Sequence, residues 1–290
     1  MTDLKKKAED FVNRIMMPSG TQRPSKEMVL AFLKEEMGAE LSRIEEREHE
    51  AFVCRNRGVE IMGDFYPGKN EKVCVILAHG FAQNRYIMFP QMKLFWDMGF
   101  CTVWFDQRAF GVSKEKYCTF GQEEAGDVVR LIRWVKERCG KETKIVLFGA
   151  SMGAATVMNA LRYTDEIDYV IEDCGFSDVG AGLRDIYAGQ NGGEQNPYVL
   201  PEFESRLEGL GASGKENIPL EAVRGSNVPV CVIHGLEDSV ISAKEAERIY
   251  AVCRNPMSRM ELFEGKEHAL SVTDEKRYDR VLRGFLEKII

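Results

Sequence analysis

The chain has 290 residues, of which 44% are hydrophobic, and a formal net charge of −7. That length suits one large α/β domain with an insertion or two small domains, and the apolar share supplies a substantial core. The acidic balance excludes the basic stripe of a nucleic-acid surface, and no apolar run is long enough for stable membrane insertion.

In chain order, residues 3–17 set Leu4, Ala8, Phe11, Val12, Ile15 and Met16 at helical spacing, and Pro18-Ser-Gly20 stops them. Lys5, Lys6 and Lys7 raise a membrane-surface role, but Asp3, Glu9 and Asp10 share the helix. Its greasy face is expected to pack on the main domain, or on a partner subunit in a homodimer. No apolar segment follows the lysines, so no secretory leader is expected. Ser25 opens a second helix with Met28, Val29, Phe32 and Leu33 predicted inward, ending near Gly38. Residues 51–66, broken at Asn56-Arg57-Gly58, read as a β-hairpin. The run 72–78 reads as a strand covered on both faces. A helix is predicted over about 86–98, a strand over 101–105, a helix over 120–138 and a strand over 144–148. Strands at 169–173 and 229–234, a helix at 243–253, a strand at 260–263 and an amphipathic helix over 274–290 complete the alternation. Such alternation predicts a mostly parallel sheet with helices on both faces.

Residues 179–227 interrupt the pattern and are expected to form a helical lid over the strand ends. The division is then an N-terminal helical extension (1–49), a core (50–178 and 228–290) and a lid or cap (179–227). The eight cysteines form no C-x-x-C pair, and three of them, Cys74, Cys101 and Cys231, sit in apolar strand-like runs. Reduced, buried thiols in a cytoplasmic protein are the expectation.

The stretch Ile145–Thr156 contains Gly149-x-Ser151-x-Gly153 between an apolar run and a helix-compatible one. Strand, tight turn and helix are the context that makes this pentapeptide a nucleophile elbow. A serine hydroxyl needs a base and a group to hold that base. Among the four histidines, His79 and His234 each end a strand and precede glycine, and His49 lies in a charged stretch. His268, in a loop after the last strand, is the expected base. The orienting acid should fall between serine and histidine in chain order; Asp238 is favoured, with Glu237 and Asp173 as rivals. Backbone N–H groups of Met152 and Phe81 are the expected oxyanion donors. Ligands of parallel sheets bind at the carboxyl ends of the strands, where 79–84, 106–113, 149–153, 173 and 234–238 all fall.

Together, His79-Gly80-Phe81-x-x-Asn84, Asp106-Gln-Arg108-x-x-Gly111-x-Ser113, Gly149-Ala-Ser151-Met-Gly153-Ala-Ala, His234-Gly-x-x-Asp238 and His268 resemble the α/β-hydrolase superfamily. They are similar to its bacterial serine-aminopeptidase-like and bile-acid-CoA-acyltransferase-like esterase branch. The resemblance covers about residues 50–290. It implies an α/β-hydrolase fold and cleavage of an ester, thioester or amide through an acyl-serine, with no metal or organic cofactor. Relatives often carry histidine where this chain has Phe110. The expected partner is a small-molecule acyl substrate, not a strongly anionic one, since 179–227 holds seven acids against four bases. A catalytically idle hydrolase fold used for binding is the competing expectation.

Overall fold

The computed structural model describes residues 3–212 and 217–290; residues 213–216 of the expected lid lie outside the described residues. Three helices open the chain: α1 (Asp3–Met16), α2 (Lys26–Glu35) and α3 (Ser42–Glu46). The hairpin β1 (Glu50–Asn56) and β2 (Val59–Tyr66) follows, turning through Arg57 and Gly58, both at positive φ. Then come β3 (Asn70–Ala78), α4 (Phe89–Asp97), β4 (Phe100–Phe105), α5 (Glu123–Cys139), β5 (Lys144–Ala150), α6 (Met152–Ala160) and β6 (Tyr169–Asp173). Helices α7 (Val179–Gln190), α8 (Val199–Gly209) and α9 (Pro219–Gly225) precede β7 (Val230–Gly235), α10 (Lys244–Tyr250), β8 (Arg259–Phe263) and α11 (Glu275–Phe285).

The eight strands form one sheet in the order β1-β2-β4-β3-β5-β6-β7-β8, with β1/β2 and β2/β4 antiparallel and the rest parallel. Strand β3 shows why the central runs are apolar throughout. Val73, Val75 and Leu77 enter one core cluster, and Cys74, Ile76 and Ala78 enter the other. Successive side chains of a strand point to opposite faces, so a strand covered twice carries no polar alternation. Helices α2, α3, α4 and α11 cover the first face, and α5, α6, α9 and α10 cover the second. A third cluster, above the strand ends, joins α1 to α7 and α8 through Phe11, Ile15, Leu183, Tyr187 and Phe203.

Three expectations need correction. The helix expected over 86–98 starts as a 3₁₀ turn at Arg85–Met88, capped by Asn84, and becomes α-helical only at Phe89. Pro90 explains the break, because proline suits a first helical turn and not an interior. On α2, Met28 and Phe32 stay out of the buried core: they are 55% and 44% exposed, while Val29 and Leu33 are buried. A short helix resting on a narrow i, i+4 stripe leaves its flanks open. Finally, α9 joins the core: Val223 packs with α5 and α6, while among the described residues of 179–227 α7 and α8 enter the cluster above the strand ends. The apolar face of α1 (Ala8, Phe11, Val12, Ile15, Met16) is buried within the same chain. No described helix is long and apolar enough to cross a membrane.

Candidate active site

Between β5 and α6 the chain turns on Ser151 alone, at φ 55° and ψ −120°. Non-glycine residues rarely occupy that region, at a cost of about 1–3 kcal/mol. The flanking glycines let the elements close on it. A Cβ at 149 would stand 2.1 Å from the Gly153 carbonyl oxygen, and one at 153 would stand 2.1 Å from that of Ala78. The Ser151 N–H donates to the Asp173 carbonyl at 2.8 Å, tying the turn to β6. Gly80 brings the loop after β3 close: its added Cβ would lie 3.3 Å from that of Ser151.

His268 lies in the loop between β8 and α11. Its Nε2 is 2.9 Å from Ser151 Oγ, and its Nδ1 is 2.7 Å from Asp238 Oδ2. A carboxylate only accepts, so Nδ1 carries the proton and Nε2 is free to accept from the hydroxyl. The Asp238 side chain is fully buried. Its Oδ1 accepts from the Val240 and Ile241 N–H groups, each at 2.8 Å. Burial works to raise the Asp238 pKa, but hydrogen bonds from His234 and His268 outweigh it and hold the carboxyl well below the usual range.

The rival acids go elsewhere. Asp173 accepts the Tyr278 hydroxyl at 2.7 Å, and Glu237 accepts the Lys266 N–H at 3.0 Å. His79 is buried, accepting from the Gln107 N–H through Nε2 at 3.0 Å, while Phe110 packs edge-on to its ring. Phe110, the departure from the resemblance, thus fills core space beside Phe81. His49 is exposed and stacks on Tyr66. His234 sits against Asp238: its Nε2 lies 3.0 Å from the Ile241 carbonyl and 3.2 Å from Asp238 Oδ2. Burial lowers its pKa, yet Asp238 and Glu172 raise it further, for a net rise.

Ser151 and His268 open into a largely apolar cavity of about 200 Å³. Phe81 lines it, and the Met152 N–H, first of helix α6, has no acceptor within its own helix. Arg85 braces the loop that carries Phe81, reaching Asp64 at 2.8 Å and Asp106 at 2.6 Å. Two other lining residues, Phe32 and Met37, come from the N-terminal extension, and none comes from the described part of 179–227. Sequence reasoning missed both, and also missed His234 on Asp238. The i, i+4 pair Met28 and Phe32 was the available signal, but periodicity alone does not separate a core face from a cavity wall.

Among the described residues, one group is spaced to hold a metal: Cys174, Asp238 and His268, with ligand atoms within 4.8 Å of one another. Both His268 nitrogens already face Ser151 and Asp238, so a metal there would displace that relay.

A family model described as the alpha/beta hydrolase fold matches residues 73–186. An esterase of Pyrococcus furiosus, Pf2001, superimposes with a TM-score of 0.69 at 20% identity, covering 86% of this chain and 96% of that one. This chain has the α/β-hydrolase fold. A bromoperoxidase from Bacillus anthracis shares the hydrolase fold at a TM-score of 0.59 and 18% identity, covering 82% of this chain and all (100%) of that one. By sequence, the hydrolase-fold chain is 27% identical over 250 residues to the uncharacterized protein YqkD of Bacillus subtilis, covering 84% of this chain and 81% of YqkD. It is also 27% identical over 225 residues to the uncharacterized protein YfhR of Escherichia coli K12, covering 75% and 72%.

Proposed function

We propose that this chain is a serine hydrolase that cleaves a carboxylic ester through an acyl-serine. The observation that carries the reading is the unbroken relay from Asp238 through His268 to a Ser151 hydroxyl facing an apolar cavity. His268 takes the hydroxyl proton as Oγ bonds to the acyl carbon. Asp238 holds the imidazole and stabilises its charged form. The Met152 and Phe81 N–H groups receive the oxyanion, each such donor being worth about 10²–10³ in turnover. His268 then gives its proton to the leaving alcohol, and the same sequence with water as nucleophile frees the acid. Thioesters and small amides undergo the same chemistry, and a substrate screen orders the three. An idle binding fold would have no reason to keep a strained serine, a base and a buried acid in register.

The test is intact-protein mass spectrometry after exposure to a fluorophosphonate. Wild type is expected to gain one adduct, Ser151→Ala none, and His268→Ala an adduct only at a greatly reduced rate. A folded wild type that gains none would overturn the hydrolase reading in favour of a binding role.

A further inference from the structure

The cavity beside Ser151 is lined by three parts of the core and by one part of the chain outside it. The core supplies Phe81, Ile87, Met88 and Val272; the N-terminal extension supplies Phe32 and Met37. Phe32 does not reach the cavity by chance flexibility, because α2 is fixed at both its start and its flank. Arg23 donates to the Gly111 and Ser113 carbonyls at 3.2 and 2.8 Å, and Asn84 donates to the Pro24 carbonyl at 3.0 Å. Ser25 caps the first turn by accepting from the Met28 N–H at 3.3 Å. Val29 and Leu33 then bury in the cluster that contains Met88, Phe89 and Met92. Phe32, between them in sequence, sits on the flank of that stripe, where it meets the cavity and remains 44% exposed.

We propose that this cavity is the acyl-chain pocket and that α2 is its specificity wall, with Phe32 setting the length of the chain admitted. The proposal rests on the serine-hydrolase reading. In many proteins that role would fall to an insertion over the strand ends, yet here no described residue of 179–227 lines the cavity. The volume gives the substrate class. An apolar cavity of about 150 Å³ holds a benzene molecule, so about 200 Å³ takes a hydrocarbon of roughly six to eight carbons. The substrate is an ester whose acyl group is a medium-length aliphatic or small aryl chain.

The experiment measures the rate of Ser151 adduct formation by alkyl fluorophosphonates of graded chain length, read by intact mass, on the full chain. In each reaction the Oγ–P bond forms, fluoride leaves and His268 takes the proton. For wild type the rate is expected to rise about four-fold per methylene and to fall off beyond roughly eight carbons. Phe32→Ala moves the fall-off to longer chains, and Phe32→Trp moves it to shorter ones. Phe32 is partly exposed, so both variants are expected to fold, and Met37→Ala provides a second enlargement. Labelling of Ser151 with the same chain-length profile in all four proteins would overturn the wall while leaving the hydrolase intact. No labelling of wild type by any probe would overturn the hydrolase reading, and the pocket with it.

Discussion

Asp238 has one carboxylate oxygen on His268 and His234 and the other on two backbone N–H groups. Replacing it by asparagine keeps an oxygen for the backbone but offers His268 an NH₂ group, which reverses the imidazole tautomer. We expect kcat to fall by about 10⁴-fold with little change in Tm. A loss under tenfold would instead direct attention to Asp173. Glu172 is another carboxyl that is fully buried. Burial pushes its pKa up to about 8, although the charge of His234 and the Gly175 N–H oppose the shift. The folded chain therefore holds this proton where the unfolded chain has released it. Its stabilising effect is complete below the ordinary value of 4.5 and is lost as pH rises through about 8. Asp173, raised by burial to about 6, acts in the same direction. Tm should thus fall between pH 5 and pH 8, and should fall less in Glu172→Gln; equal slopes would remove Glu172 as the cause.

The elbow owes its shape to two contacts between backbones, and these are testable at the helix. Gly153→Ala puts a methyl 2.1 Å from the Ala78 carbonyl oxygen, so α6 must leave β3 or the strand must bend. Overpacking of this kind costs about 1–3 kcal/mol, read as a lower urea midpoint, and should reduce Ser151 labelling by more than the stability loss explains. An unchanged midpoint would mean the sheet yields freely there. The elbow itself was legible in the sequence because its pattern is local: strand, glycine, serine, glycine and helix are consecutive. The eight-strand alternation was legible for the same reason, through runs such as Val73–Ala78. Which carboxylate meets His268 was legible only as a preference for Asp238 over Glu237 and Asp173, since adjacent residues differ by side-chain direction, which turn geometry decides. The outward flank of α2 was not legible. Its apolar residues meet helical spacing equally well facing a core or a cavity, and most of the cavity wall comes from residues distant in the chain, such as Phe81, Ile87 and Val272.

Across the molecule, the sheet divides two large cores, and a third cluster lies above the strand ends. The third binds the beginning of the chain to α7 and α8 by several independent contacts. The Phe11 ring meets Tyr187 edge-on at 5.1 Å, Asn196 donates to the Leu4 carbonyl at 2.8 Å, and Arg14 donates to Gln190 at 3.0 Å. Elements that share one apolar cluster tend to open as a single cooperative unit. We expect α1 to act as a latch, with α7 and α8 leaving the strand ends only when it undocks. Amide hydrogen exchange gives the signature. The slow amides of α1, α7 and α8 should exchange with a common opening free energy, below that of β3 and β5. Removing residues 1–22 should speed exchange in α7 and α8 while leaving the central strands protected; unchanged exchange in those helices would show the latch to be absent.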